Sequence, residues 1–234
     1  MIVQNALSLG ITQLKYFNIP NPQLDAKILL KFTLGYSSEA FELKRNEEIS
    51  DKFIKNYLKF IKRRSNKEPI AHILEKKSFW KNDFKVSKET LIPRPETELI
   101  IENVLKYFPN KERNLNIIDL GTGTGCIIIS LMQEYINAAG VGIDISQSAI
   151  DIANINKQML CRPEKLNFFK ADFKDYNLDK FDIIVTNPPY VSPEDKQKNL
   201  QYDILNYEPH VALFAENNGL SCYEKILSNC TLSK

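Results

Sequence analysis

The chain is poor in the residues that build metal sites and disulfide frameworks, holding two histidines and four cysteines among 234 residues. Cys126, Cys161, Cys222 and Cys230 show no CxxC spacing, and His72 and His210 stand far apart, so neither a zinc site nor a disulfide scaffold is indicated. Long apolar runs are missing too. No stretch approaches the ~20 residues that cross a bilayer, and the amino terminus lacks a basic segment followed by an apolar core. A cytoplasmic protein is expected. An excess of one charge is also absent: 31 Lys and Arg against 29 Asp and Glu leave +2, without the broad basic footprint of a duplex-binding protein. Glycine is scarce, and three of its eight residues fall within five positions, Gly121 to Gly125.

What is present divides along the chain. Over residues 1–75 apolar side chains recur at helical spacing. Leu7, Ile11 and Leu14 are expected to share one face, and Leu24, Ile28 and Leu29 another, after the helix-start signal Pro20-Asn21-Pro22. Phe53, Ile54, Tyr57, Leu58 and Ile61 form a third, behind an N-cap candidate at Ser50. Lys44-Arg45 and Lys62-Arg63-Arg64 fall on polar faces and read as solvated surface. Residues 76–95 read as a hairpin linker, with Phe79-Trp80, a turn at Asn82-Asp83, alternating Phe84 and Val86, then an extended proline-containing segment.

From 96 to 234 a helix holding Leu99 to Leu105 precedes alternating strands and helices. Strands are expected at Ile117–Leu120, Val141–Asp144, Leu166–Lys170 and Phe181–Thr186. Helices are expected at Cys126–Met132, Ser146–Lys157 and around Leu220–Leu227. Such alternation predicts an α/β fold with a mostly parallel sheet and right-handed crossovers. Ligands in sheets of this kind collect at the carboxyl ends of the strands.

The polar features of the sequence sit at those ends. Asp119-Leu120-Gly121-Thr122-Gly123-Thr124-Gly125 joins a strand to a helix, where missing Cβ atoms let the backbone turn tightly and approach a ligand. Its GxGxG spacing is not the GxGxxG dinucleotide fingerprint, and a tight turn with no ligand would look the same. Asp144 ends the next strand, where a carboxylate can accept both hydroxyls of a ribose. It can also cap the following helix, a task open to Ser146 as well. Asp172 and Phe173 follow the third strand and can bracket an adenine, or form an ordinary loop.

Asn187-Pro188-Pro189-Tyr190 closes the fourth strand. An amide nitrogen is a poor nucleophile because its lone pair is delocalised into the carbonyl. The Asn187 side-chain oxygen and the Pro188 carbonyl can each accept one N–H of a planar NH2 group, with Tyr190 packed on its flat face. Two prolines place those acceptors in advance. The alternative is a proline-rich turn after a strand. Loop and motif together suit methyl transfer from S-adenosyl-L-methionine to an amide or aromatic amine nitrogen. No metal is called for, and no general base, since a sulfonium is a strong electrophile and the proton can leave after the methyl arrives. His72 and His210 read as structural.

On Leu91-Ile92-Pro93-Arg94-Pro95-Glu96-Thr97-Glu98, Asp119 to Gly125, Asp144, Asn187 to Tyr190 and Tyr207-Glu208-Pro209, the chain resembles the bacterial peptide-chain release factor N5-glutamine methyltransferases. The resemblance implies a Rossmann-like sheet behind a helical substrate-recognition domain, and a cytoplasmic enzyme acting in translation termination. It implies methylation of the glutamine side-chain amide in the Gly-Gly-Gln motif of class I release factors. Cofactor contacts are implied at Asp119, Gly121, Thr122, Gly123, Thr124, Gly125, Asp144, Asp172 and Phe173, the last standing where the family usually has tryptophan. Catalytic roles are implied for Asn187, Pro188, Pro189 and Tyr190, with Asn187 touching cofactor and substrate.

The family's sheet continues for further strands, so the fold is expected to be C-terminally incomplete at Lys234, with the strand of Asn187 left as an edge. A complete chain is expected to be monomeric, bound to neither membrane nor nucleic acid. Two other readings stay open. One is an exocyclic-amine methyltransferase acting on DNA or RNA, which shares Asn-Pro-Pro-Tyr. The other is a truncated, non-catalytic remnant.

Overall fold

The helical and the alternating patterns separate in space as they do in sequence. The computed structural model describes residues 1–160, 164–195 and 202–229, and falls into two compact units, Met1–Glu75 and Lys76–Lys234. Cys161 and Cys230 lie outside the described residues, among which no helix is long and apolar enough to cross a membrane.

The first unit holds α1 (Val3–Tyr16), α2 (Pro22–Leu34), α3 (Ser38–Leu43), α4 (Asp51–Ser65) and α5 (Ile70–Leu74). Its core gathers Leu14, Leu29, Leu30, Phe41, Tyr57 and Ile61, all fully buried. Pro22 occupies the first turn of α2, where its missing N–H costs nothing. The buried face of α2 is Pro22, Asp25, Ala26, Leu29 and Leu30, so Leu24 points outward at 58% exposure, against expectation. Ser50 occupies the N-cap position of α4 without a side-chain hydrogen bond, whereas Ser37 does cap α3 through the Ala40 N–H at 3.1 Å.

The run Lys62-Arg63-Arg64 is not a uniformly solvated face. Arg64 Nε reaches Asp25 Oδ2 at 2.7 Å, with both side chains about nine-tenths buried. Arg63 Nε donates to Glu68 Oε2 at 2.7 Å, and only Lys62 of the three is exposed. The period of α4 brings positions 61, 64 and 65 towards α2, so a charge at 64 must either snorkel or pair.

The second unit opens with a hairpin of β1 (Lys76–Phe79) and β2 (Asn82–Lys85). Its turn falls on Trp80-Lys81, not on Asn82-Asp83. Tertiary anchors decide this: Trp80 N–H donates to Glu98 Oε1 at 2.9 Å and Trp80 Nε1 to Glu134 Oε1 at 3.0 Å, with Trp80 held at φ 52°. The register also buries Phe79 and Phe84 together.

After α6 (Glu98–Tyr107) come β3 (Asn116–Leu120), α7 (Cys126–Glu134), β4 (Ala139–Asp144), α8 (Gln147–Leu160), β5 (Leu166–Lys170) and β6 (Ile183–Thr186). The described remainder holds α9 (Tyr202–Tyr207), which sequence periodicity did not reveal, and α10 (Ser221–Ser228). The four strands are parallel in the order β5-β4-β3-β6. Alternation along each strand feeds two cores. Ile117, Leu166, Phe168, Ile183 and Val185 meet α6, α7, α8 and the hairpin on one face, while Ile118, Leu120 and Ile143 meet Leu178 and Ile226 on the other. The chain leaves β3 for β4 on one side and returns to β6 on the other. That reversal opens a crevice at the carboxyl ends of β3 and β6.

Candidate active site

The first half of the glycine loop is pinned by the ends of two strands. Thr122 N–H donates to the Ile143 carbonyl of β4 at 2.9 Å, and Thr122 Oγ1 donates to Asp119 Oδ2 of β3 at 2.7 Å. Gly123 N–H donates to Asp144 Oδ2 at 3.0 Å, and Ser146 N–H to Asp144 Oδ1 at 2.9 Å. Gly123 has φ +54°, and a Cβ there would meet nothing within 4 Å, so the backbone is open to a ligand. Gly125, at φ +77°, packs instead against Phe168 and Ile129. Asn156, fully buried on α8, donates to the Thr124 carbonyl at 2.9 Å and exchanges hydrogen bonds with the Lys85 backbone, tying loop to hairpin.

These contacts frame a cleft of about 390 Å³ whose lining includes Gly121, Thr122, Gly123, Thr124, Asp144, Asp172, Phe173, Asn187 and Pro189. That volume suits a nucleoside-sized ligand. Asp119 and Gly125 lie beneath the loop and Pro188 is buried, so these three shape the cleft without lining it. Tyr190 is 59% exposed and stands outside the lining. Asp172 Oδ1 accepts the Lys174 N–H at 3.1 Å, capping a short 3-10 turn, and Phe173 packs partly buried beside it.

Burial dominates the electrostatics. It pushes the Asp119 carboxyl up to about 7, the Asp144 charge adding to the rise and the Thr122 hydroxyl opposing it. Burial likewise raises Asp144, against its hydrogen bonds from Ser146 and Gly123. Burial also pushes the Cys126 thiol up to about 12, so it is no nucleophile at neutral pH. Each oxygen of Asp144 accepts one backbone N–H and keeps acceptor capacity for a vicinal diol. No metal-binding cluster occurs among the described residues. His210 Nε2 lies 2.9 Å from the Leu205 carbonyl and its ring meets Phe214 edge-on, while His72 is buried in the first unit.

The opposite wall is built from Leu91, Pro93 and Thr97 on one segment and Pro209, Val211, Ala212 and Phe214 on another. Glu208 joins the two: its carboxylate, 1% exposed, accepts the Ile92 N–H at 3.1 Å and Arg94 Nη2 at 2.5 Å. Asn187 Nδ2 donates to Thr97 Oγ1 at 3.2 Å. Thr97, Glu208 and Asn156 carry no signal in periodicity or spacing that marks them individually. Glu208 and Thr97 do fall within the segments Tyr207-Glu208-Pro209 and Leu91–Glu98 that carry the family resemblance.

Residues 5–74 match the family described as PrmC N-terminal domain, and residues 111–232 match a methyltransferase domain. A bifunctional methyltransferase of Rickettsia typhi is 35% identical over 97% of this chain and 47% of its own, so the chain spans about half the length of such relatives. A release factor glutamine methyltransferase of Caulobacter vibrioides is 33% identical over 92% of this chain and 74% of its own. The crystal structure of the hMettl16 catalytic domain in complex with MAT2A 3'UTR hairpin 6 shares the fold, at TM-score 0.51 and 19% identity over 62% of this chain and 55% of that one. With a Rossmann-like methyltransferase sheet and similarity running through both units, the chain belongs to the release factor glutamine methyltransferase family.

Proposed function

We propose that this chain methylates the side-chain amide nitrogen of the glutamine in the Gly-Gly-Gln motif of class I peptide-chain release factors, with S-adenosyl-L-methionine as donor. The observation that carries the reading is that Asn187 lines the same cleft as the glycine loop and Asp144, in a chain of this family. When bound, the cofactor supplies an electrophilic methyl group on a sulfonium. Asp144 would hold the ribose hydroxyls, the loop from Gly121 to Thr124 would line the ribose and methionine portions with Gly125 supporting it from beneath, and Asp172 with Phe173 would hold the adenine. The apolar wall of Pro93, Val211 and Phe214 keeps water from the electrophile.

The remaining work is orientation. Asn187 Oδ1 and the Pro188 carbonyl accept the two N–H groups of the substrate amide, leaving the nitrogen facing the methyl group. Tyr190, exposed in the structure, packs on the flat amide once substrate arrives. Residues 1–75 serve as the substrate-recognition domain, 76–95 as the hairpin linker and 96–234 as the methyltransferase domain.

The test is incubation with labelled S-adenosylmethionine and three acceptors: a class I release factor, a ribosomal protein and DNA. Label on the release-factor glutamine alone is expected, and Asn187→Ala should cut turnover by roughly 10²–10³. Label on DNA, or undiminished turnover in the variant, rejects the assignment.

A further inference from the structure

The segment Leu91-Ile92-Pro93-Arg94-Pro95 has two prolines in five residues, which block helix before Pro95 and remove two backbone donors, so its remaining polar groups need partners outside a regular ladder. Glu208 does the holding. One oxygen accepts the Ile92 N–H and the other the Arg94 guanidinium, and the carboxylate lies almost wholly out of water. At the far end, Glu98 Oε1 accepts the Trp80 N–H at 2.9 Å. Between those anchors the Arg94 carbonyl accepts the Thr97 N–H at 3.1 Å, closing the 3-10 turn Pro95–Thr97. This fixes the Thr97 backbone, and the residue itself is 8% exposed. Its hydroxyl oxygen accepts the Asn187 Nδ2 at 3.2 Å.

The consequence falls on Asn187. A terminal amide has two chemically different ends of nearly equal size, and χ2 of Asn is broad, so backbone geometry alone does not choose which end faces the cleft; a hydroxyl can meet either end, and here Thr97 Oγ1 accepts from Nδ2. We infer that Thr97, held by the Glu208–Arg94 strap, is a positioning residue that engages the Asn187 NH2 and leaves its Oδ1 to accept from the substrate. The catalytic consequence rests on the function proposed above; the orientation of the amide does not.

The experiment uses the 234-residue chain with Thr97→Val, which keeps shape and removes the hydroxyl, Thr97→Ser, which restores it, and Glu208→Gln. Three quantities are read: S-adenosylhomocysteine affinity by calorimetry, kcat and KM on a release factor, and solvent exchange of the Asn187 NH2 by 15N NMR, assigned through its loss in Asn187→Asp. Thr97→Val is expected to lower kcat at least about tenfold with affinity and KM within about twofold, and Thr97→Ser to recover most of it. The NH2 should exchange faster in Thr97→Val and in Glu208→Gln. Should Glu208→Gln not fold, the Thr97 pair decides alone.

Wild-type kcat and unchanged exchange in Thr97→Val overturn the inference. So does a loss of kcat that Thr97→Ser leaves unrepaired. If the wild-type chain binds S-adenosylhomocysteine but methylates no release factor, while the NH2 still loses protection in Thr97→Val, the functional reading falls and the amide orientation stands.

Discussion

Asp119 and Asp144 hold one glycine loop from two neighbouring strands. Asp119 Oδ2 accepts the Thr122 hydroxyl at 2.7 Å and Asp144 Oδ2 accepts the Gly123 N–H at 3.0 Å. The first carboxylate is sealed under the loop and the second lines the cleft. The two therefore respond differently to substitution.

Asp119 should make stability depend on pH. Its folded carboxyl is pushed up to about 7, chiefly by burial, whereas an unfolded Asp titrates near ~3.9. Between those values the folded chain keeps a proton that the unfolded chain has released, so stability falls as pH rises through that window and then levels off. Asp119→Asn should remove this slope, gaining about 2–3 kcal/mol on the wild type between pH 5 and 8. Urea melts at both pH values check it; parallel pH responses in the two proteins reject it.

Asp144→Ala should weaken S-adenosylmethionine binding by roughly 1.5–3 kcal/mol, the scale of charge-assisted hydrogen bonds. It also releases the Gly123 and Ser146 N–H groups, so the melting temperature should fall modestly. Titration calorimetry with unchanged affinity would remove Asp144 from the cofactor site.

Two glycine substitutions should fail in opposite ways. At Gly125 a Cβ would lie 3.0 Å from Phe168 Cζ and 3.1 Å from Ile129 Cδ1 at a left-handed φ, so Gly125→Ala should cost about 2–4 kcal/mol of stability. Gly123→Ala pays only the left-handed strain, about 1–2 kcal/mol, but places its methyl in open space beside the cleft. Cofactor affinity should drop more than stability there. Equal ratios of the two effects at both positions would contradict the assignment of Gly123 to the ligand side.

Asn156→Ala removes three hydrogen bonds that join α8 to the Lys85 backbone and the Thr124 carbonyl. At about 1 kcal/mol each the loss should reach about 3 kcal/mol. Because Thr124 sits in the glycine loop, cofactor affinity should weaken in step. A variant with wild-type melting temperature would show that the amide carries no such load.

The β3 to β6 framework was legible because buried parallel strands are short apolar runs between turn signals, as in Ile117–Leu120, while the edge strand Leu166–Lys170 buries only Leu166 and Phe168 in alternation. The strand ending at Thr186 begins at Ile183, with Phe181 and Asp182 outside it. The carboxyl ends of β3 and β6 carry the glycine loop and Asn187, so topology alone brings those to one crevice. Leu24 faces outward because three apolar residues in α2 fit two helical faces, and only the packing of Ala26, Leu29 and Leu30 chooses between them. The hairpin turns at Trp80-Lys81 rather than at Asn82-Asp83 because local turn preference is weak beside the anchors that Trp80 finds in Glu98 and Glu134.

By itself the amino-acid sequence determined the alternation of elements, the sheet they form and the strand ends that carry polar residues. Those follow from hydrophobic period and backbone chemistry, which act over a few residues. Tertiary structure alone decided that Glu208 straps Ile92 and Arg94, that Thr97 takes the Asn187 amide, and that Arg64 pairs with Asp25. Each joins residues 39 to 116 positions apart. A buried polar group must find a partner, yet nothing in its own neighbourhood says which; the choice is made when the elements pack and one donor or acceptor comes within reach.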